Sequence, residues 1–203
     1  MTFGELKLEV ANYMHRTDLD GFIPGFIEKA RTRINRDLRV REMLIQADVT
    51  PATNPFSLPD GFLEMRDMYH LRGNNRVTLV LTNRKKLNEF LSAVSTDSNP
   101  QYYSIDGLAI ETRPGGIGIV FTQLFYTEEL EFVSDSDTRL TLDQYPTIWL
   151  YAALIEGHSF TQDLELMNSV QEFYVSEVSQ ANAQSSDAES GAALQMSGAS
   201  SFL

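Results

Sequence analysis

The chain contains no cysteine, which removes disulfides, thiolate nucleophiles and the commonest structural zinc sites together. Its stability must come from packing. Histidine is nearly as scarce: His15, His70 and His158 lie far apart in the sequence and none belongs to an HExxH pattern, so no metal site is read from them. No apolar run approaches the roughly 20 residues that span a bilayer, and no membrane partner is expected. The first ten residues, MTFGELKLEV, carry charges where a signal peptide needs its apolar stretch, which predicts a chain that starts in the cytoplasm.

Positive charge is the remaining scarcity. The 203 residues hold 16 Lys and Arg against 28 Asp and Glu, a formal charge of -12. That balance argues against a free-standing nucleic-acid binder, because affinity for phosphate depends on neutralising it. The few cations are also unevenly spread: Lys29, Arg31, Arg33, Arg36, Arg39 and Arg41 crowd together, while from Glu128 onward only Arg139 opposes a long series of acids. Either the two ends are both solvated, or one subunit's basic helix lies on its neighbour's acidic surface.

Catalytic signals are missing as well. Gly115-Gly116-Ile117-Gly118 is followed by no Lys-Ser/Thr and by strand-like residues, so it reads as a turn or bulge and not a phosphate loop. Asp135-Ser136-Asp137 lacks the central Gly and closing Glu of a calcium loop, and no Ser stands in a GxSxG elbow. No enzymatic activity, catalytic residue, cofactor or metal is expected.

What the chain does have is a strong helix over Gly21 to Arg41. Phe22, Phe26, Ala30, Ile34 and Leu38 recur every fourth residue, with Ile23 and Ile27 beside them, so that stripe is expected to be core and the arginines to lie on the opposite face. Pro24 fits its first turn. Before it, Thr2 and Glu5 form a capping box that opens a helix lined by Phe3, Leu6, Val10, Tyr13 and Met14.

Beyond Arg41, short β-branched runs punctuated by Pro, Gly and Asn predict strands at Met43 to Thr50, Phe56 to Leu58, Phe62 to Leu71, Arg76 to Thr82, Tyr102 to Ile105, Leu108 to Thr112 and Ile117 to Thr127. Hairpins are expected at Gly73-Asn74-Asn75 and at Asp106-Gly107, and a short helix at Arg84 to Val94 using Leu87, Phe90, Leu91 and Val94. From Asp143 the helical period returns in an apolar helix ending near Gly157, then in a longer one over Thr161 to Ala183 that uses Leu164, Met167, Val170, Tyr174 and Val178. The expected fold class is therefore α+β. A four-helix core is built from both chain ends, 1–42 and 143–183, around a β-rich insertion, 43–142. The last stretch, 184–203, is rich in Ser, Ala and Gly and reads as an extended arm with sparse anchors at Leu194, Met196, Phe202 and Leu203.

Three stretches together resemble a known family. Ala30-Arg31-Thr32-Arg33-Ile34-Asn35-Arg36-Asp37-Leu38-Arg39-Val40-Arg41 is similar to a helix signature of phage head-to-tail adaptor proteins, the connector rings of short-tailed phages. Leu58-Pro59-Asp60-Gly61-Phe62-Leu63-Glu64-Met65-Arg66 resembles the family's strand entry, and Gln144-Tyr145-Pro146-Thr147-Ile148-Trp149-Leu150-Tyr151-Ala152-Ala153-Leu154 its proline-initiated third helix. The resemblance covers roughly residues 2 to 180. It implies a virion structural protein at the neck that forms a dodecameric ring, joins the portal protein to the tail nozzle or tail tube protein, and lets DNA pass through its lumen without specific binding. An acidic lumen should let duplex slide. Expected partner-binding residues are Arg31, Arg33, Arg36, Arg39 and Arg41, with the tail anchors Leu194, Met196, Phe202 and Leu203.

Two other classes compete. An acidic phage-encoded inhibitor mimicking DNA should spread its acids along one face and lack the basic helix. A virion-associated cell-wall hydrolase should release products from peptidoglycan and lose that ability when one carboxylate is changed.

Overall fold

The structure is a computed structural model that describes residues 1–89 and 99–189. It is α+β, with helices α1 (Phe3–Met14) and α2 (Ile23–Asp37) followed by strands β1 (Leu44–Val49), β2 (Phe56–Ser57), β3 (Phe62–Arg72), β4 (Asn75–Thr78) and β5 (Val80–Leu81). After α3 (Arg84–Glu89) come β6 (Tyr102–Asp106), β7 (Ala109–Arg113) and β8 (Phe121–Thr127), then α4 (Leu140–Gln144), α5 (Pro146–Thr161) and α6 (Leu164–Glu189). Two compact units result: Met1–Met43 with the chain from Glu129 on, and Leu44–Glu128.

In the helical unit the capping box opens α1. The Glu5 amide donates to Thr2 Oγ1 at 3.2 Å and the Thr2 amide to Glu5 Oε2 at 2.8 Å, so two orphan donors are satisfied reciprocally. α2 starts with Pro24 in its first turn and buries Ile23, Phe26, Ile27, Ala30 and Ile34. It stops at Asp37, short of the expected Arg41, because Leu38 turns extended and buries its side chain there. α5 is apolar nearly all round and packs against α1, α2 and α6. It does not end near Gly157 but runs through it to Thr161. A Cβ at Gly157 would stand 2.6 Å from Met14 Sδ, so this glycine permits a close helix approach and does not cap. α6 continues past Ala183 to Glu189, because Ser185 still faces the core and is buried.

The segment 129–142, expected to end the β-rich insertion, belongs to the helical unit instead. The Phe3 amide donates to Asp137 O at 2.8 Å, the Gly4 amide to Asp135 O at 2.9 Å, and the Phe3 and Phe132 rings stack at 4.7 Å. Local period could not reveal this, because the segment has no regular structure until α4. Three residues placed in the core by their spacing, Tyr13, Phe22 and Leu164, are exposed; each lies in the first or last turn of a helix or just beside it, where its neighbours cover it only in part.

The Leu44–Glu128 unit holds two four-stranded sheets, ordered β1-β8-β3-β4 and β2-β7-β6-β5. The expected arm Arg76 to Thr82 splits at buried Leu79: β4 pairs antiparallel with β3, while β5 pairs parallel with β6 in the other sheet. The hairpin at Asp106-Gly107 forms, with Gly107 at φ 58°. The strand expected from Ile117 begins only at Phe121, since Gly116 and Gly118 take φ of 127° and 75° and turn the chain first. Phe56, Met68, Leu79, Tyr103, Ile110 and Phe121 form the core. Phe90, Leu91 and Val94 of the expected short helix lie outside the described residues.

Candidate assembly surface of the helical unit

The structure divides the five arginines expected to bind a partner. Arg31 donates from Nη1 to Glu129 O at 2.7 Å and from Nε to the Glu28 carboxylate at 3.0 Å. Arg33 reaches across to α5, its Nη2 on Glu156 Oε1 at 2.6 Å, with both side chains largely buried. Arg39 turns back on the end of α2 and donates to Asn35 O at 2.9 Å and Leu38 O at 2.6 Å, a cation placed where the helix carbonyls are unpaired. These three are committed inside the subunit. Arg36 pairs with neighbouring Asp37 at 2.7 Å and Arg41 with neighbouring Glu42 at 3.0 Å, leaving side chains 69% and 65% exposed. The tail residues Leu194, Met196, Phe202 and Leu203 lie outside the described residues.

Beside the arginines is a site that the apolar period hid. Asn35, buried on α2, accepts the Glu129 amide on Oδ1 at 2.7 Å and donates from Nδ2 to Glu129 O at 3.3 Å. Arg31 shares that carbonyl, so two residues of the Ala30–Arg41 signature hold the chain where it re-enters the helical unit. The Glu129 carboxylate accepts Thr141 Oγ1–H at 2.8 Å, and Thr141 in turn accepts Trp149 Nε1–H at 3.2 Å. Burial pushes the Glu129 carboxyl above its ordinary value, opposed by the Thr141 hydrogen bond and by the charges of Arg139 and Arg31. A polar residue next to Ile34 within a buried stripe was the signal available for Asn35.

A second clamp fixes residues after α2. The Arg39 amide donates to Asn182 Oδ1 at 2.7 Å, Asn182 Nδ2 to Asp37 O at 3.0 Å, and the Arg41 amide to Ser185 Oγ at 2.8 Å. Tyr174 OH on α6 adds a hydrogen bond to Asp37 Oδ2 at 3.2 Å. Through these bonds α6 holds the backbone that presents Arg36 and Arg41.

The motifs considered for chemistry have structural employment. Asp135 pairs with Lys7 at 2.6 Å, and Asp137 accepts the Val133 and Ser134 amides at 2.7 and 3.1 Å. Gly115 O accepts Thr112 Oγ1–H at 2.5 Å inside a turn. Buried His70 meets Pro100 O at 3.1 Å. Among the described residues no group of three or more His, Cys, Asp or Glu could hold a metal, and no helix is long and apolar enough to cross a membrane. A cleft of about 470 Å³ lined by residues such as Pro59, Asp60, Leu108 and Glu128 contains none of the expected site residues.

No curated protein matches the chain. Residues 1–197 match the family model described as SU10 adaptor protein.

Proposed function

The chain belongs to the SU10 adaptor protein family, structural proteins of bacteriophage virions, and on that premise we propose that it is the head-to-tail adaptor of the neck. In this reading copies assemble as a ring, dodecameric as in the connector proteins it resembles. The ring joins portal to tail, and DNA passes through its lumen. The observation that carries the reading is the extent of the family match, residues 1–197, which takes in both units. Electrostatics support it: each copy brings a charge of -12, so a lumen lined by such copies would repel duplex phosphate and let it slide.

Of the five arginines, Arg36 and Arg41 are the ones whose side chains stay exposed for a neighbour. α6 offers a matching acidic surface, since Glu172 and Glu177 occur on a helix without a single Lys or Arg. The helices of both chain ends serve as one four-helix core, and the arm beyond it uses Leu194, Met196, Phe202 and Leu203 as anchors on the portal.

The test is the mass of the purified protein, alone and with its phage's portal protein, by native mass spectrometry. Joining the portal as a ring is expected; no association at any concentration would remove the adaptor reading. Removal of residues 190–203 should spare folding and weaken portal attachment. The cut falls there and not at Gln184 because Ser185 clamps the Arg41 amide.

A further inference from the structure

Four helix ends meet at one pole of the helical unit, and that pole is left apolar. The end of α1, the start of α2 and the end of α5 converge there: Gly157 is placed so that a Cβ would meet Met14 at 2.6 Å and Phe26 at 3.6 Å. The start of α6 follows two residues after α5. Phe22 and Phe160 pack ring to ring at 5.0 Å, and buried Phe26 supports Phe160 from below at 5.5 Å. Yet Phe22 stays 52% exposed, Phe160 51%, Tyr13 58% and Leu164 63%. Tyr13, Phe22 and Leu164 each continue the apolar stripe of their helix, so the sequence keeps writing core where this subunit supplies no cover.

The rim is acidic. Arg16 is taken by Asp18 through two hydrogen bonds of 2.7 Å, while Asp163 and Glu165 stand on either side of exposed Leu164. Burial lowers the affinity of His158 for a proton, partly offset by Asp163, so this imidazole adds little positive charge at neutral pH.

We infer that this pole is a docking surface for a segment of another protein that presents apolar side chains flanked by Lys or Arg. Preorganised aromatic rings anchor such a segment by filling its apolar contacts, and the carboxylates of Asp163 and Glu165 select its basic flank. An anionic lipid surface is disfavoured by the same carboxylates. A second copy meeting it pole to pole would bring acid against acid. The pole lies about 20 Å along α2 from Asp37, at the far end from Arg36 and Arg41, so it is separate from the arginine surface. The inference rests on the adaptor reading for the identity of the partner and on geometry alone for the surface.

The test compares wild type with Phe22→Ser/Phe160→Ser and with Asp163→Asn/Glu165→Lys, using far-UV circular dichroism and Trp149 emission to verify folding. Each protein is titrated with the purified portal and, separately, with the tail protein, and its own mass is followed. A synthetic helical peptide with Leu on one face and Lys on its flanks is titrated in parallel by NMR. The expected result is at least a tenfold loss (about that of one aromatic anchor) for one of the two virion proteins in the serine variant, and a salt-sensitive loss in the charge variant. If both variants bind both proteins as wild type does, the inference is overturned. Loss of self-association alone would also overturn it, by making a second copy the occupant. If wild type binds neither protein, the adaptor reading falls; peptide-induced shifts at Phe22 and Phe160 would still uphold the surface, and their absence would remove it.

Discussion

In the sheet unit, ladders satisfy the strands, and Phe56, Met68, Leu79, Tyr103, Ile110 and Phe121 fill its core, with His70, Ser104, Thr112 and Gln123 buried beside them. The helical unit contains stretches that are neither helix nor strand, near 38–40 and 129–139, and these are held by side chains reaching across the sequence. Asn35 takes Glu129, Asn182 takes Asp37 and Arg39, and Ser185 takes Arg41. The sheet unit has such a clamp too, Asn54 donating from Nδ2 to Thr112 O and Gly115 O at 2.8 and 2.9 Å and accepting the Thr112 amide at 3.0 Å. Its eight strands, however, satisfy one another through ladders, so the two units differ in degree. Irregular segments carry function because regular structure does not dictate their path, and here the second clamp holds the backbone that carries the exposed arginines.

The comparison can be broken most forcefully in the sheet unit. Phe121→Ala removes a fully buried ring and should cost about 3–5 kcal/mol, read from urea denaturation by far-UV circular dichroism. A loss near that of a surface change, about 0.5 kcal/mol, would mean that volume is not what holds this unit. Next in size is Asn35→Ala, which strands the buried Glu129 amide and should cost about 1–3 kcal/mol. Trp149 is the single tryptophan and lies in the helical unit, so its emission reports this loss directly. An unchanged transition would show that the clamp merely accompanies helix packing.

A smaller effect sharpens the same point through pH. Glu129 has its folded-state pKa raised, by burial first, above the ordinary 4.5. Its favourable contribution is fully present below the unfolded value and is lost as pH rises through the elevated folded value. Glu129→Gln keeps an acceptor for Thr141 without the buried charge. It should flatten the stability profile across that window and leave the variant relatively more stable at neutral pH. Parallel profiles for wild type and variant, measured by Trp149 emission in urea, would contradict the burial argument.

How far the sequence could be read follows from the same contrast. Local rules were legible: the Thr2–Glu5 box, Pro24 in a first turn and the Asp106-Gly107 hairpin each depend on neighbouring residues. The second sheet was not, because assigning β5 to β6 rather than to β3 depends on a parallel partner about twenty residues away. Nor was the return of 129–142 to the helical unit, which rests on Asn35 and Arg31 reaching across the sequence. At the candidate site the arginines were visible as composition, but their division was invisible. Arg33 and Arg36 look alike until Glu156 and solvent, respectively, are found beside them.

The smallest expected change in stability is the most telling for assembly. Arg36 is 69% exposed and its partner is the adjacent Asp37, so solvent screens the pair and the two side chains must be ordered to form it. Arg36→Gln should leave the Trp149 transition in place, because Asp37 keeps its Tyr174 hydrogen bond and α2 keeps its buried stripe. If α2 presents Arg36 to a neighbouring copy, the same substitution should lower the fraction of protein recovered in portal-bound rings, and more so when combined with Arg41→Gln. Stability and assembly would then separate. If both measurements stay at wild-type levels, the exposed arginines form a solvated face, and ring contacts must be sought on surfaces that do not depend on them.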